Sequence, residues 1–313
     1  MTGAPDPDVP ADAFRDEGPG AHLIRPACSI IVPVYNQWPL VPALLESLRA
    51  QALPQNEFEV ILVDNGSAHY TPPESLPSNV LILHCETPGS YAARNVGIQA
   101  ARAKWLVFTD ADCRPTSQWL MAGMERVRTN ADENTLMAGG IRMVAENQER
   151  PSIYELYDLA LGIPQERYVR RGYAVTANLF VPKRLFERVG AFEGGRFSGG
   201  DAEFCRRAVR NGANLELNQD AIVEHPARKD WTELANKARR VKGGQLTAGP
   251  VARRVLWAVR TCLPPARAWG RAFTARELSL AQKFIVCLVQ ARIWGAECRE
   301  MSRLLLVRQP PRR

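Results

Sequence analysis

Two aspartates separated by one alanine, Asp110 and Asp112, close the apolar run "WLVFTDADCRP". Carboxylates two residues apart, just beyond a strand, can point the same way at a separation of several ångströms, where they repel unless a cation or proton lies between them. Hard divalent cations such as Mg²⁺ and Mn²⁺ take oxygen ligands and would relieve that repulsion. Polar residues also close two earlier apolar runs: Tyr35 and Asn36 after "CSIIVPV", Asp64 and Asn65 after "FEVILV".

These residues need a frame. "CSIIVPVYN", "FEVILVDNGS", "NVLILHC" and "KWLVFTDAD" are apolar, partly β-branched runs bounded by turn residues, which predicts four buried strands. "PLVPALLESLRAQ", "SYAARNVGIQAARA" and "SQWLMAGMERVRT" carry helical spacing between or after them. The alternation predicts an α/β domain with a mostly parallel sheet and helices on its faces. Such sheets bind ligands beyond the carboxyl ends of their strands, where this chain places its polar residues. After about residue 145 the pattern loosens. A helix is expected in "PSIYELYDLAL", an extended "YAVTANLFVP", a short helix ended by Gly190, and an amphipathic helix after "FSGG". "NLELNQDAIVEHP" reads as two short strands finishing at His225.

The order "SIIVPVYN", "VILVDNGS", "ARNVGIQAA", "VFTDADC", "FERVGAFEGG", "GGDAEFCRR", "VEHP" resembles glycosyltransferase family 2, over about residues 28 to 226. The resemblance implies a GT-A fold and an inverting glycosyltransferase. Its donor would be a nucleotide-sugar, and its acceptor hydroxyl would stand on a saccharide or lipid-linked acceptor in polysaccharide, glycolipid or envelope biosynthesis. It implies a Mn²⁺ or Mg²⁺ cofactor, with Asp112 and His225 as metal ligands and Asp110 on the ribose or a metal-bound water. Pro33, Val34 and Tyr35 would lie beside the base and Asp64 would accept the N3–H of uracil, pointing to a UDP-sugar. Arg94 would meet phosphate or base. Asp201 would be the base that takes the acceptor's proton, and Glu203 is a lesser candidate.

One departure leaves alternatives open. Family members commonly place a glutamate before the catalytic aspartate, where this chain has Gly200. A catalytically degenerate domain that binds nucleotide-sugar or a partner without turnover is therefore the second reading. Glycine there also suggests extra room for a bulky acceptor. On their own, Asp64 could serve an Asx-turn, Tyr35 could be packing, Arg94 a surface helix residue, and Cys113 and Cys205 packing residues.

The chain has 313 residues, 46% of them hydrophobic and 23% charged, ordinary for a globular protein. Its net charge of +7 is unevenly placed. Residues 251–313 hold 13 basic and 3 acidic side chains, the remainder 27 and 30. Trp257, Trp269, Phe273, Phe284 and Trp294 stand among those arginines. The segment reads either as a helical cap or dimer contact, or as an in-plane amphipathic anchor on an anionic membrane. No nucleic acid partner is expected, since no reading motif accompanies the charge. Seven cysteines without a CxxC pair argue against a zinc site or a disulfide framework and fit a cytoplasmic setting, peripheral at the inner face of the membrane if the anchor operates. The acidic, Pro/Gly-rich 1–27 reads as a disordered leader, and no apolar run reaches spanning length. The expected organisation is this leader, then a 28–230 catalytic domain (28–145 for nucleotide, 146–230 for acceptor), then a basic helical region over 231–313.

Overall fold

A computed structural model describes residues 25–130, 134–196 and 198–306. The leader expected over 1–27 therefore lies outside the described residues except for its last three, as do the final seven residues of the basic region.

The sheet begins with β1 (Cys28–Val34), β2 (Phe58–Asp64), β3 (Val80–His84) and β4 (Trp105–Phe108). All four were legible as apolar runs, because β1 and β2 are buried at every position. β2, β1 and β4 lie side by side and parallel, with β3 outside β2, so their carboxyl ends share one edge. Between them run α1 (Val41–Arg49) and α2 (Ser90–Ala100). The small residues of α2 let it sit close on the sheet: a Cβ at Gly97 would fall 2.5 Å from Ile31.

Beyond β4 the chain forms β5 (Arg114–Pro115), α3 (Trp119–Asn130), β6 (Thr135–Val144), α4 (Ile153–Leu161), α5 (Gln165–Val169), β7 (Leu179–Pro182), α6 (Lys183–Val189), α7 (Gly200–Arg210) and β8 (Asn214–Pro226). The sheet order is β3-β2-β1-β4-β7-β6-β8-β5, with β7 antiparallel to both β4 and β6. The fold is the mixed, mostly parallel α/β sheet expected, with one refinement: β7 stands between β4 and β6, so the change of pattern near residue 145 is no break in the sheet. β6, which periodicity did not mark, is one such strand; its first half is buried and its second half only partly. Of the extended "YAVTANLFVP", only Leu179–Pro182 is strand.

The two short strands expected before His225 are one strand, β8, interrupted by a bulge. Its register with β6 jumps from Gly139↔Asn218 to Gly140↔Ile222, so Gln219–Ala221 loop out. Asn178, fully buried, pins the jump. Its amide donates to the carbonyls of Gly140 (2.7 Å) and Ala221 (2.8 Å) and accepts from the Trp119 indole (2.9 Å). Gly139 is required here, because a Cβ would fall 2.2 Å from the Asn178 side chain. Beyond the bulge β8 runs on to pair with β5, which sets Arg114 opposite Glu224 and brings the Asp112–Cys113 turn beside His225.

The last helices are α8 (Trp231–Thr247), α9 (Val251–Cys262), α10 (Ala266–Thr274) and α11 (Leu280–Leu306). Leu234 and Ala238 of α8 pack with Val289 and Ile293 of α11, while Ala272 of α10 and Val286 of α11 pack on Leu156 of α4. Asp158 of α4, fully buried, is held by Arg228 at 2.7 Å and Lys237 at 3.5 Å, tying the helices to the chain leaving β8.

Candidate active site

Asp110, Asp112 and His225, predicted from separate segments, do meet. Asp112, beyond β4, and His225, near the end of β8, face each other, with Asp112 Oδ1 4.0 Å from His225 Nε2. One ligand atom from each of Asp110, Asp112, Cys113 and His225 can be chosen so that all lie within 4.8 Å of one another. The imidazole is oriented for a ligand's role. Its Nδ1 lies 3.0 Å from the Pro226 carbonyl, which only accepts, so Nδ1 carries a proton, and in the neutral ring that leaves Nε2, on the Asp112 side, as the nitrogen able to ligate. Burial first, and then Asp112 and Asp110, push the Cys113 thiol well above its ordinary value. The site thus offers carboxylate oxygens and an imidazole, a donor set that suits Mn²⁺ or Mg²⁺.

Arg94 is no surface residue. It projects from α2 with only 3% of its area exposed and pairs with Asp110 at 2.5 Å. Its Nη1 also reaches the Ser90 carbonyl at 3.3 Å, and its Nε is buried without a partner. A guanidinium this desolvated fixes the carboxylate it meets, so Asp110 is held in place.

Asp201 lies in the first turn of α7, at the positive end of the helix dipole. The Tyr91 hydroxyl of α2 donates to its Oδ1 at 3.3 Å and the Ala202 amide donates to the same oxygen at 2.8 Å. No hydrogen bond reaches Oδ2 among the described residues. Burial raises the Asp201 carboxyl above its usual range, and the Ala202 amide, Arg94 and the Tyr91 hydroxyl offset only part of that. Tyr91 was missed by sequence reasoning, although its place in the first turn of "SYAARN" was a usable signal.

The structure corrects the expectation of room at Gly200. A Cβ there would fall 2.7 Å from the Tyr91 ring. The φ of Gly200 is not positive, so the backbone makes no demand for glycine; the aromatic ring fills the space instead.

Asp64 closes β2 opposite Val34. Its Oδ1 accepts the Trp38 indole N–H at 2.8 Å, and its Oδ2 accepts the amides of Gly66 and Ser67, both at 3.1 Å. Burial raises this carboxyl, yet the bonds from Ser67, Trp38 and Gly66 outweigh it and hold Asp64 below its usual value. The Asx-turn reading is thus present. Pro33 and Val34 are buried in β1, and the Val34 carbonyl accepts the Asn65 amide at 2.8 Å. Tyr35, 38% exposed, stands at the strand end beside Asn36, whose φ is +54°. Glu203, the lesser base candidate, is engaged by Arg207 at 2.9 Å.

Comparisons with known proteins identify the family and the fold. The profile of Glycosyl transferase family 2 matches residues 29–198. The chain is 34% identical over 229 residues to glycosyltransferase AglE of Haloferax volcanii, covering 71% of this chain and 73% of that protein. It is 29% identical over 228 residues to the pre-mycofactocin glycosyltransferase of Mycobacterium tuberculosis, covering 67% of this chain but 45% of that protein. The chain thus spans less than half the length of the mycobacterial relative. Among solved structures, a mannosyltransferase from Pyrobaculum calidifontis in complex with GDP-Man and Mn²⁺ superposes with a TM-score of 0.56 at 18% identity, covering 90% of this chain and 85% of that one. S. aureus TarS 1-349 in complex with UDP-GlcNAc gives 0.50 at 18% identity, covering 88% and 83%. The chain belongs to glycosyltransferase family 2: it is a glycosyltransferase with the GT-A fold. The matched family segment ends before Asp201 and His225.

Proposed function

We propose that this protein is an inverting, divalent-metal-dependent glycosyltransferase that moves a sugar from a UDP-sugar to an acceptor hydroxyl in polysaccharide, glycolipid or envelope biosynthesis. The observation that carries the reading is the meeting of Asp110, Asp112 and His225, with Arg94 and Tyr91 from one face of α2 contacting Asp110 and Asp201 respectively. Nucleotide-sugar chemistry is supported by the two structural neighbours, whose complexes hold GDP-Man and UDP-GlcNAc. The choice of uracil rests on Asp64: its carboxylate, held below its usual pKa at the end of β2, would accept the N3–H, with the Tyr35 ring beside the base.

Asp112 and His225 would hold Mn²⁺ or Mg²⁺, and such a cation, when bound, neutralises charge on the departing diphosphate. Asp110, fixed by Arg94, would receive a ribose hydroxyl. Asp201 would take the acceptor's proton on Oδ2 while Tyr91 and the Ala202 amide hold Oδ1, and its raised pKa makes it a stronger base than an exposed aspartate. Gly200 was the only support for a degenerate site; the Tyr91 ring accounts for it, so that reading has no observation behind it. A thermal-shift screen of UDP- and GDP-sugars with and without Mn²⁺ tests the proposal. A UDP-sugar should raise the melting temperature only with Mn²⁺, and an equal shift in Asp112→Ala would refute the metal assignment.

The membrane reading of the basic region belongs here too. No helix among the described residues is long and apolar enough to cross a membrane. α9, however, is apolar outward: Val251, Val255, Leu256, Val259 and Leu263 are all more than half exposed. At this spacing they share one face, flanked by Arg253 and Arg260. On its inner side, buried Thr261 accepts from Lys242 at 2.9 Å. We propose that this face lies in an anionic lipid surface, its arginines at the headgroups. The full chain should float with phosphatidylglycerol liposomes and Val255→Asp/Val259→Asp should not; equal flotation ends the idea.

A further inference from the structure

Asp201 follows a turn of small residues, Ser198–Gly200, that leans on two different helices. Gly199 adopts a φ of +75°, a left-handed value that favours glycine, and its carbonyl accepts the Glu203 amide at 3.0 Å to open α7. Gly200 lies against the Tyr91 ring of α2. Ser198 lies against α8. A Cβ on Gly244 of that helix would fall 2.8 Å from the Ser198 carbonyl oxygen and 3.1 Å from the Ser198 Cβ. Gly244 is buried and its φ is not positive, so the close approach, not the backbone, is what requires glycine.

α8 is itself held in place. Two residues before Gly244, Lys242 is only 4% exposed. Its ammonium donates to Thr261 Oγ1 of α9 at 2.9 Å, with the Glu297 carboxylate of α11 3.7 Å away. The Thr261 carbonyl accepts the Trp294 indole N–H of α11 at 2.8 Å. A desolvated ammonium with a hydroxyl and a carboxylate as partners joins three helices at one point. Arg240, one turn before Gly244 and so on the same side of α8, is near enough to Tyr91 for its charge to favour the ionised phenol. α8 therefore passes close to Tyr91 as well as to Ser198.

We infer that α8 is a positioning element for Asp201: Gly244 seats the Ser198–Gly200 turn, and Lys242 ties that seat to α9 and α11. The inference rests on the reading of Asp201 as the base, and it extends the catalytic unit past residue 230 into the basic helical region. A general base must stay within hydrogen-bond reach of the proton it takes, and an ångström of displacement can cost about 10²-fold in rate. A turn with two glycines does not hold such a position by itself, because glycine gives the backbone its widest freedom. Contacts with two helices supply the restraint.

The full-length chain is assayed with Mn²⁺ for UDP release from the UDP-sugar that gives the largest thermal shift, with water in the acceptor's place. The water oxygen then bonds to the sugar, its proton passes to the base, and UDP leaves. Gly244→Ala should lower kcat for this release by about tenfold or more. KM for the UDP-sugar and the calorimetric UDP·Mn²⁺ affinity should not change. Adding Ser198→Gly should recover part of the loss, since it removes one clashing atom and frees the backbone there. Ser198→Thr crowds the same contact from the other side and takes over if Gly244→Ala does not fold. A glycine needed for folding alone would lower the melting temperature and leave kcat per folded molecule at the wild-type value. That result in both Gly244→Ala and Ser198→Thr overturns the inference. Asp201→Asn checks the base reading separately and should release UDP far more slowly. Release at the wild-type rate in Asp201→Asn, or none from the wild type, strikes the base or donor reading instead. Hydrogen exchange then decides on α8 alone: amides of residues 199–205 should exchange several-fold faster in Gly244→Ala, with those of β1 unchanged. Equal exchange of residues 199–205 in the two proteins overturns the inference.

Discussion

The carboxyl edge of the sheet and the outer face of α9 are built by opposite rules. At the edge, polar groups sit inside and are partnered: Arg94 with Asp110, Asp64 with Trp38, Asp201 with Tyr91. On α9, valines and leucines face outward while Thr261 and Lys242 bond beneath them. Of the large hydrophobic side chains exposed among the described residues, most lie between Val251 and Leu306. Buried, satisfied polar groups give fixed geometry for a small polar ligand. An apolar face left toward solvent gives no geometry but a large area for something itself apolar. On the proposed reading of α9, the molecule separates chemistry from placement.

The sharpest way to break this contrast is at the edge. Asp201→Asn should lower kcat by about 10²- to 10⁴-fold while leaving UDP·Mn²⁺ affinity intact, if Asp201 is the base. Donor affinity measured by calorimetry separates this from a misfolded site. Asp112→Ala should remove the Mn²⁺ dependence of that affinity while circular dichroism stays native; retained Mn²⁺-linked binding would show that the carboxylates serve structure alone. Gly200→Ala should cost about 1–3 kcal/mol in urea unfolding, since its Cβ overpacks the Tyr91 ring. In a Tyr91→Ala background the same change should cost almost nothing, because the two sites are coupled.

Tyr91→Phe gives a subtler effect. The Tyr91 hydroxyl favours the ionised form of Asp201, alongside the Ala202 amide and Arg94 and against Asp110, with Tyr168 and Tyr173 also nearby. Losing it should raise the Asp201 carboxyl further. The base is active when ionised, so the acid limb of kcat/KM should move to higher pH, with little change well above that limb. An unmoved limb would make Tyr91 a packing residue only. The smallest effect is expected at the other region: Val255→Asp/Val259→Asp should change unfolding free energy by no more than about 0.5 kcal/mol, as for exposed positions generally. A larger loss would mean that the α9 face is packing after all.

Much of the frame was legible because burial on both faces leaves uninterrupted apolar runs. β1, β2 and β4 could be read from that, and parallel pairing then places their ends together. β6 was not legible: Gly139 and Gly140 interrupt it, and its second half is only partly buried, so neither a continuous run nor an alternation marks it. The bulge in β8 was hidden for a related reason, as its cause is Asn178, some 40 residues upstream, bonding to Ala221.

By itself the sequence determined the residue types at the strand ends and their order, because local apolar runs and turn residues are properties of short segments. It could therefore specify Asp64, Asp110, Asp112 and the α/β class. Only the tertiary structure decided what surrounds those acids: Arg94 inside instead of outside, and the Tyr91 ring where Gly200 looked like free space. Those facts depend on distances between segments far apart in the chain, and no spacing along a sequence carries them.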